Sequence, residues 1–279
     1  MSILERIRGT RHSDGQAPEP HTRGQPSIET STPDELGYLK RRNLLGWVVV
    51  NVLLVLTALV AATAQLLTLF HARRFVINTV VPTSARLVLR ILSIEVRFHG
   101  FDNLPQPCLV TANHTSSLDM FLTPLFPIPN MRVFLARWLQ VHPALFLISR
   151  ANGTIYTVPQ KYPEQRATLF QKAEHTLRDS GDSCLLSPEG TRRTDGVINP
   201  FNKGTFHLAT NLGWPIVPVY IDISRRMNPG VGLATRPGVI HIYARPPIDT
   251  TDWKLEDLIA NKEAVRDQYV AFPEGWKSE

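Results

Sequence analysis

Two short polar stretches interrupt apolar sequence and carry side chains that could move a proton or hold an anion. The first, "NHTSSLD", places four residues between His114 and Asp119 and follows the strand-like run "PCLVTA". A carboxylate that accepts a hydrogen bond from one imidazole nitrogen leaves the other nitrogen able to take a proton from a hydroxyl. The same pair is also typical of an ordinary strand-to-helix turn, so this stretch alone leaves both readings open.

The second stretch, "SPEGTRR", directly follows the apolar run "SCLL". The planar guanidinium of an arginine suits bidentate contact with a phosphate, and Gly190 allows the backbone to approach a ligand closely. A surface turn with solvated charges has the same composition. By itself this stretch is therefore also undecided between binding and structure.

Taken together and in order, these stretches resemble a known family. "NHTSSLD", "SPEGTR", "NPFNKGTFHLA" and "PIVPVYI" resemble the glycerolipid acyltransferase superfamily, specifically the 1-acyl-sn-glycerol-3-phosphate acyltransferase family. The resemblance extends from about residue 95 to about residue 225. It implies an enzyme that moves a fatty acyl group from acyl-CoA or acyl carrier protein to the sn-2 hydroxyl of 1-acylglycerol-3-phosphate, giving phosphatidic acid.

The resemblance also implies a role for each matching residue. His114 would be the general base that activates the acceptor hydroxyl, and Asp119 would orient it. The acceptor's glycerol phosphate would be bound by Glu189, Gly190, Thr191 and Arg192. No metal or other cofactor is expected, because the thioester of the acyl donor is already activated.

The chain departs from the family pattern in "NGTIYTVPQKY". Pro159 stands where the family usually has an arginine that helps to bind the acceptor phosphate. Lys161 and Arg150 are the nearby cations, and we include Lys161 among the substrate-binding residues, although lysine presents a point charge rather than a planar fork. This departure keeps an alternative open, an acceptor with a different head group such as a lyso-ornithine lipid.

These residues need a scaffold, and the sequence from residue 95 to residue 279 predicts one. Short apolar runs alternate with helical patterns, which indicates an α/β domain with a mixed, largely parallel sheet flanked by helices. The predicted strands are "PCLVTAN", "MRVFLA", "GTIYTV", "SCLLS", "PIVPVYID" and "VIHIYARP". Gly181 and Gly213 fall where helices are expected to end.

The part of the chain before residue 95 predicts attachment to a membrane. Residues 1–42 are polar and rich in Pro and Gly, which is typical of a mobile tail. Within them, "TPDELGYLKRRN" is also compatible with the start of a helix, with Thr32 as its cap and Pro33 at its first position. Residues 43–94 follow as membrane-associated helices, with an apolar segment at 47–70 and an amphipathic one at 82–94. Spanning the bilayer and lying in one leaflet both remain open, and so does a buried helix of a soluble protein.

Composition and charge limit the partners. The formal net charge is +6, which suits anionic lipid or an acidic carrier protein, and no aromatic-basic signature of nucleic-acid binding is present. Because acyl donors are cytosolic, the catalytic domain is expected to face the cytoplasm. A non-catalytic protein is also an alternative, namely a lipid-binding membrane protein with the same fold. A hydrolase is disfavoured because the chain lacks a Gly-x-Ser-x-Gly nucleophile elbow.

Overall fold

A seven-stranded sheet organises the chain. The structure is a computed structural model that describes residues 33–193, 197–224, 226–228 and 235–272. The strands are β1 Ile94–His99, β2 Leu109–Ala112, β3 Arg132–Ala136, β4 Ile155–Thr157, β5 Cys184–Leu186, β6 Ile216–Asp222 and β7 Gly238–Ala244. Their spatial order is β1-β7-β6-β2-β5-β3-β4.

Helices connect these strands and cover both faces of the sheet. The α-helices are α1 Pro33–Leu67, α2 Arg73–Phe75, α3 Val81–Ile91, α4 Asp119–Leu122, α5 Pro143–Asn152, α6 Pro163–Ser180, α7 Lys203–Leu212 and α8 Leu258–Val270. Short 3-10 turns lie at Thr123–Leu125, Arg137–Val141 and Leu255–Asp257, and a π turn lies at Val76–Val80.

All neighbouring strands pair in parallel except β6 and β7, which are antiparallel. The predicted mixed, largely parallel sheet is therefore confirmed. Strand β2 lies in the centre and is buried at all four positions, because a parallel strand is covered by helices on both of its faces. As β2 and β5 are parallel neighbours, the polar stretches that follow them leave the sheet at the same edge.

Two apolar cores fill the layers. On one face, buried side chains of α3 and α4 pack against Val110, Ala112 and Val217. On the other face, helices α6, α7 and α8 pack against Leu109, Leu186 and Ile216. The two cysteines, Cys108 and Cys184, are buried free thiols, as their apolar surroundings predict. Gly181 and Gly213 end α6 and α7 in the left-handed conformation, so both predicted helix ends are confirmed.

The structure corrects the boundaries predicted for the N-terminal part. Helix α1 begins at Pro33, which confirms the predicted helix start, and it ends at Leu67. Residues 33–42 are therefore helical and do not belong to the tail predicted for 1–42. The rest of that tail, residues 1–32, lies outside the described residues. The predicted amphipathic segment 82–94 is helical only as far as Ile91, and Ile94 already starts β1, a strand that the sequence did not predict.

Helix α1 has the length and composition of a membrane span but also contacts the domain. Its segment from Arg41 to Leu67 has 27 residues, and only 28% of its most apolar window is buried. The buried side of the helix carries Val50, Thr57, Ala58, Ala61 and Gln65. Most of its large apolar side chains therefore point away from the protein.

Candidate functional site

The two polar stretches meet at the carboxyl edge of the sheet. His114 Nδ1 lies 2.7 Å from Asp119 Oδ2, with the carboxylate buried and the imidazole side chain 39% exposed. A carboxylate only accepts hydrogen bonds, so this contact places the proton on Nδ1 and leaves a lone pair on Nε2. The exposed side of the ring can therefore accept a proton from a bound hydroxyl.

The Asp119 carboxylate is fixed by the turn that it closes. Besides the imidazole, Oδ2 accepts hydrogen bonds from the backbone N–H of Thr115 at 3.0 Å and of Ser116 at 3.2 Å. The Ser116 hydroxyl accepts the N–H of Leu118 at 3.0 Å, just before α4 begins. Apart from the imidazole contact, the bonds to Asp119 use backbone N–H groups, so only the bond to Ser116 Oγ requires a polar side chain between His114 and Asp119.

At the start of this turn, the side chain of Asn113 makes hydrogen bonds to the neighbouring strand in place of backbone groups. Asn113, the residue after β2, donates through Nδ2 to Ile221 O at 3.1 Å and accepts the Ile221 N–H at 2.7 Å. The buried amide replaces a pair of strand-to-strand hydrogen bonds with β6. It thus fixes the direction in which the chain leaves the sheet, one residue before His114.

Glu189 joins the two polar stretches through their backbones. Its Oε1 accepts the His114 N–H at 3.0 Å, and its Oε2 accepts the Asn199 N–H at 2.9 Å. From the same stretch, the Arg193 N–H donates to His114 O at 3.0 Å. The backbone of His114 is therefore held on both sides by the stretch that begins at Ser187.

Glu189 is only 4% exposed, and its burial raises the pKa of its carboxyl, although the two backbone N–H donors act in the opposite direction. Both oxygens of this carboxylate are used within the protein. These two hydrogen bonds hold the backbones of His114 and Asn199 against the Glu189 side chain. Contact of Glu189 with the acceptor stays a prediction of the family resemblance.

Gly190 occupies a conformation that only glycine adopts without strain. Its φ is +70°, and a Cβ at this position would overlap Asn202 Nδ2. The same Asn202 amide donates to Glu189 O at 3.1 Å. Thr191 follows on the exposed rim, where its hydroxyl lies 3.4 Å from Asn199 Nδ2. The turn therefore needs a glycine for its backbone and for the space beside it.

Arg192 brings a cationic side chain into contact with the His114–Asp119 turn. Its side chain is exposed, and Nη1 donates to Ser117 Oγ at 2.6 Å. Ser117 belongs to the turn that carries His114 and Asp119, so the guanidinium and the imidazole open on the same rim. Within the part of the chain that the structure describes, the Arg192 side chain contacts one neutral hydroxyl, which leaves the positive charge available for an anion.

The segment after β4 lies beside the Glu189–Gly190 turn but brings no arginine of its own. Gln160 Nε2 donates to Asn202 Oδ1 at 2.5 Å, which places residues 159–161 next to the Glu189–Gly190 turn. Lys161 lies over the Tyr162 ring, with Nζ 5.1 Å from its centroid. The structure thus places Lys161 near the site without a contact to the residues around His114.

Arg137 is a cation that sequence reasoning missed. It follows β3, whose last residues pair with β4, and it lines a groove together with Pro159 and Tyr162. Pro159 is the residue that stands in place of the family's arginine. The sequence does contain a signal for Arg137, because it directly follows β3, and functional residues are expected at the carboxyl ends of the strands.

Asn113, Asn199 and Asn202 were missed too. Asn113 bonds to the backbone of Ile221, 108 positions away, and the other two bond to Glu189 across a turn whose shape the sequence does not show.

Metal ligands were not expected, and within the residues that the structure describes no group of three or more His, Cys, Asp or Glu side chains is arranged to hold an ion. The arrangement offers an imidazole oriented by a carboxylate and an exposed guanidinium on one rim. This combination suits transfer of a group to the hydroxyl of an anionic acceptor.

Residues 95–222, which contain both polar stretches, match the family described as Acyltransferase. This match covers somewhat less than half of the chain and includes the motifs on which the predicted family resemblance rests. The fold of the chain is shared with the crystal structure of the 1-acyl-sn-glycerophosphate (LPA) acyltransferase, PlsC, from Thermotoga maritima. The two agree with a TM-score of 0.63 at 22% identity, over 86% of this chain and 99% of that chain.

Among curated relatives, the chain is similar to proteins named 1-acyl-sn-glycerol-3-phosphate acyltransferase. It is 32% identical to one from Saccharomyces cerevisiae over 185 residues, 64% of this chain and 60% of that protein. It is 27% identical to one from Limnanthes douglasii over 191 residues, 66% of this chain and 65% of that protein. The chain thus spans somewhat less than two thirds of the length of these relatives.

Proposed function

We propose that this protein transfers a fatty acyl group from acyl-CoA or acyl carrier protein to the sn-2 hydroxyl of 1-acylglycerol-3-phosphate, giving phosphatidic acid. The observation that carries the proposal is the 2.7 Å contact between His114 and Asp119, on a rim shared with Arg192. The similarity to relatives named for this reaction supports the same substrates.

The proposed reaction is a direct transfer with His114 as the base. His114 Nε2 accepts the proton of the acceptor hydroxyl while the oxygen of that hydroxyl attacks the thioester carbonyl. The new C–O bond forms, the C–S bond breaks, and the thiolate that leaves takes the proton from the imidazolium. Asp119 stabilises the imidazolium through the Nδ1 hydrogen bond and keeps the ring in one orientation. Since a thioester is already activated, this chemistry needs no metal and no covalent enzyme intermediate.

Recognition of the acceptor phosphate falls to cations on the rim. Arg192 stands beside the catalytic pair, and Arg137 lines the groove that contains Pro159. We propose that Arg137 compensates for the arginine that Pro159 replaces, because it provides a guanidinium fork at the end of the neighbouring strand. Lys161 contributes charge to the same region from the segment after β4.

An acceptor with another head group is the second candidate, and Pro159 is the observation that favours it. Purified protein should be given one labelled acyl donor and an equimolar pool of lysophosphatidic acid, lyso-ornithine lipid and zwitterionic lysophospholipids. Phosphatidic acid as the dominant product, with release of free thiol, supports the proposal. Preference for another lyso-lipid would refute the proposed acceptor but leave acyl transfer intact.

We further propose that α1 attaches the protein to a membrane without crossing it, with the catalytic domain on the cytoplasmic side. Near the start of the helix, Arg42 Nη2 donates to Leu92 O at 2.7 Å. Beyond its end, Arg73 Nη1 lies 2.8 Å from Asp182 Oδ2. Both ends of the apolar segment are thus held by the same domain. A helix that spanned a bilayer of about 30 Å would place its two ends on opposite sides of the membrane.

Polar side chains along α1 support this attachment. The Thr57 hydroxyl lies 2.6 Å from Ser84 Oγ, and Gln65 Nε2 donates to Ala151 O at 2.8 Å. Single cysteines at Tyr38 and His71 should react with a membrane-impermeant thiol reagent from the same side of sealed vesicles. Labelling from opposite sides would show a spanning helix and refute this attachment, while leaving the proposed chemistry untouched.

A further inference from the structure

Helix α5 exposes an apolar stripe that the proposed chemistry does not use. Pro143, Phe146, Leu147 and Arg150 are exposed, and their spacing of i, i+3, i+4 and i+7 puts them on one side of the helix. The opposite side, with Ala144 and Ile148, packs against Ala58 of α1. A helix that faced water would normally carry polar residues on its outer side, so an apolar stripe here indicates a partner surface.

The 3-10 turn before α5 extends this stripe to the functional edge of the sheet. Trp138 is 72% exposed and Val141 is 85% exposed, although both are large apolar side chains. Arg137 precedes them and is exposed as well. Tryptophan next to arginine is typical of residues placed at the boundary between lipid tails and head groups.

The stripe is continuous with the outer side of α1. His142, between Val141 and α5, makes a hydrogen bond of 3.2 Å from Nε2 to Asn51 Oδ1 of α1. On both sides of Asn51, the outer surface of α1 carries Trp47 at 50% and Val55 at 49% exposure. A bilayer in contact with the outer side of α1 would therefore lie beside α5 and the turn that precedes it.

The charges beside the stripe select the kind of surface. Arg137 and Arg150 stand near its two ends, and the segment 137–150 contains no acidic residue. Basic residues flanking exposed apolar ones favour an anionic lipid surface, where the cations meet head groups and the apolar side chains enter the acyl region. An acidic protein would pair with the arginines but would leave Trp138 and Val141 without an apolar environment.

We propose that the segment Arg137–Arg150 is a second membrane-contact surface, which inserts Trp138, Val141 and Leu147 into the leaflet that holds α1. The proposal rests on the membrane attachment of α1 described above. It places the groove beside Pro159 at the lipid boundary, so that a lyso-lipid acceptor can reach His114 without leaving the membrane.

Quenching of tryptophan fluorescence by lipid tests this surface without requiring enzyme activity. The full chain and its Trp138→Phe, Trp47→Phe and Trp253→Phe variants are bound to vesicles of phosphatidylcholine and phosphatidylglycerol with brominated acyl chains. Trp253 packs beside the core on the other face of the sheet and serves as the control. We expect Trp138→Phe and Trp47→Phe to lose part of the lipid-quenched emission, and Trp253→Phe to lose none.

The outcomes separate this inference from the attachment on which it rests. If the lipid-quenched emission falls in Trp47→Phe but not in Trp138→Phe, the second surface is refuted and α1 alone holds the membrane. If it falls in neither variant, the attachment of α1 is refuted as well. If the emission of Trp138 is quenched while the protein transfers no acyl group, the surface stands and the proposed reaction fails.

A pair of double variants gives an independent measure of membrane affinity. Trp138→Ser with Val141→Ser removes the exposed apolar groups, and Leu255→Ser with Ile259→Ser removes similar groups, 53% and 47% exposed, from the region of α8. The first pair should lower the partition coefficient to these vesicles by at least about fivefold, since burial of each CH2 group in lipid contributes to binding. Equal partition of the two double variants would contradict the proposal.

Discussion

At the scale of single residues, the Asp119 carboxylate is the group on which the orientation of the imidazole depends. Asp119 Oδ2 receives the imidazole N–H and two backbone N–H groups. Replacing it with asparagine keeps the shape of the side chain but removes the negative charge that stabilises an imidazolium. We expect Asp119→Asn to lower kcat by roughly a hundredfold or more, measured as thiol release from acyl-CoA.

The control for this variant is its folding. Asp119 is buried within the turn, so a loss of activity must be compared with the thermal unfolding temperature. A variant that keeps the folded structure and also keeps the activity of the wild type would refute the role of Asp119.

Glu189 is the residue for which the structure and the family resemblance give different expectations. If it bound the acceptor, Glu189→Gln would mainly raise KM for the acceptor. Because both oxygens instead accept backbone N–H groups of His114 and Asn199, we expect a lower kcat with little change of KM. The amide NH2 of glutamine would face one of these donors, at a cost of about 1–3 kcal/mol.

The raised pKa of Glu189 gives the same variant a pH signature. A carboxyl whose folded pKa lies above its unfolded value binds protons more tightly in the folded protein, so its contribution to stability decreases as pH rises through the folded pKa. Compared with Glu189→Gln, the wild type should therefore lose unfolding free energy as pH rises above the ordinary glutamate pKa of about 4.3. Chemical unfolding at several pH values measures this, with Glu256→Gln, at an exposed position, as the matched control.

At the scale of elements, the turn after β5 depends on a glycine for two reasons that can be separated. Gly190 and Gly213 have φ values of +70° and +65°, but only Gly190 has a neighbouring atom, Asn202 Nδ2, where a Cβ would be. Backbone strain alone costs about 1 kcal/mol or somewhat more. We expect Gly190→Ala to destabilise the protein more than Gly213→Ala and to lower activity, as measured by urea unfolding and thiol release. Equal losses of stability would mean that the turn adjusts to the methyl group.

The opposite edge of the sheet holds an ion cluster that joins the N-terminal helices to the domain. Asp182, before β5, is 1% exposed and lies 2.8 Å both from Arg73 Nη1 and from Arg132 Nε. Asp182→Asn would leave two guanidinium groups without their counter-charge, and we expect a loss of about 3 kcal/mol of unfolding free energy. Glu95→Gln, in an exposed pair with Arg97, is the matched control and should cost less than about 1 kcal/mol.

The pH dependence of Asp182→Asn follows from the pKa of the carboxyl. Burial acts to raise the pKa of Asp182, but hydrogen bonds from Arg73, Ser180 and Arg132 outweigh it and bring the pKa below its ordinary value. A lowered folded pKa contributes stability above the unfolded pKa, which is lost as pH falls through the folded pKa. The stability difference between wild type and variant should therefore shrink below about pH 4. A difference that stays constant down to pH 2 would show that the charge of Asp182 is not what stabilises the cluster.

Most strands could be predicted from the sequence because each is a short apolar run between turn residues. Strand β1, Ile94–His99, was the exception. It follows α3 after only two residues, Leu92 and Ser93, with no glycine or proline to separate them. β1 is an edge strand with one buried and one exposed side, so it mixes apolar and charged residues as the amphipathic helix before it does. The change from helix to strand is therefore hard to see in the sequence.

At the scale of the whole molecule, the sheet decides which distant residues form the site. Parallel pairing of β2 with β5 brings His114 next to Glu189, 75 positions further along the chain. Sequence motifs predicted that these stretches belong together. They could not predict that Glu189 holds the backbone of His114, or that Arg137 shares a groove with Pro159, because strand order and register decide both.

The central claim is that His114 is the base of an acyl transfer to a lysophospholipid. It is tested most directly by the rate of thiol release from acyl-CoA with lysophosphatidic acid, compared between wild type, His114→Gln and His175→Gln. His175 is an exposed histidine of α6 that also contacts a carboxylate, Asp179 Oδ2 at 2.7 Å, which makes it a matched control. We predict that His114→Gln releases thiol no faster than the reaction without enzyme, while His175→Gln retains the wild-type rate. Full activity of a folded His114→Gln variant would contradict this account.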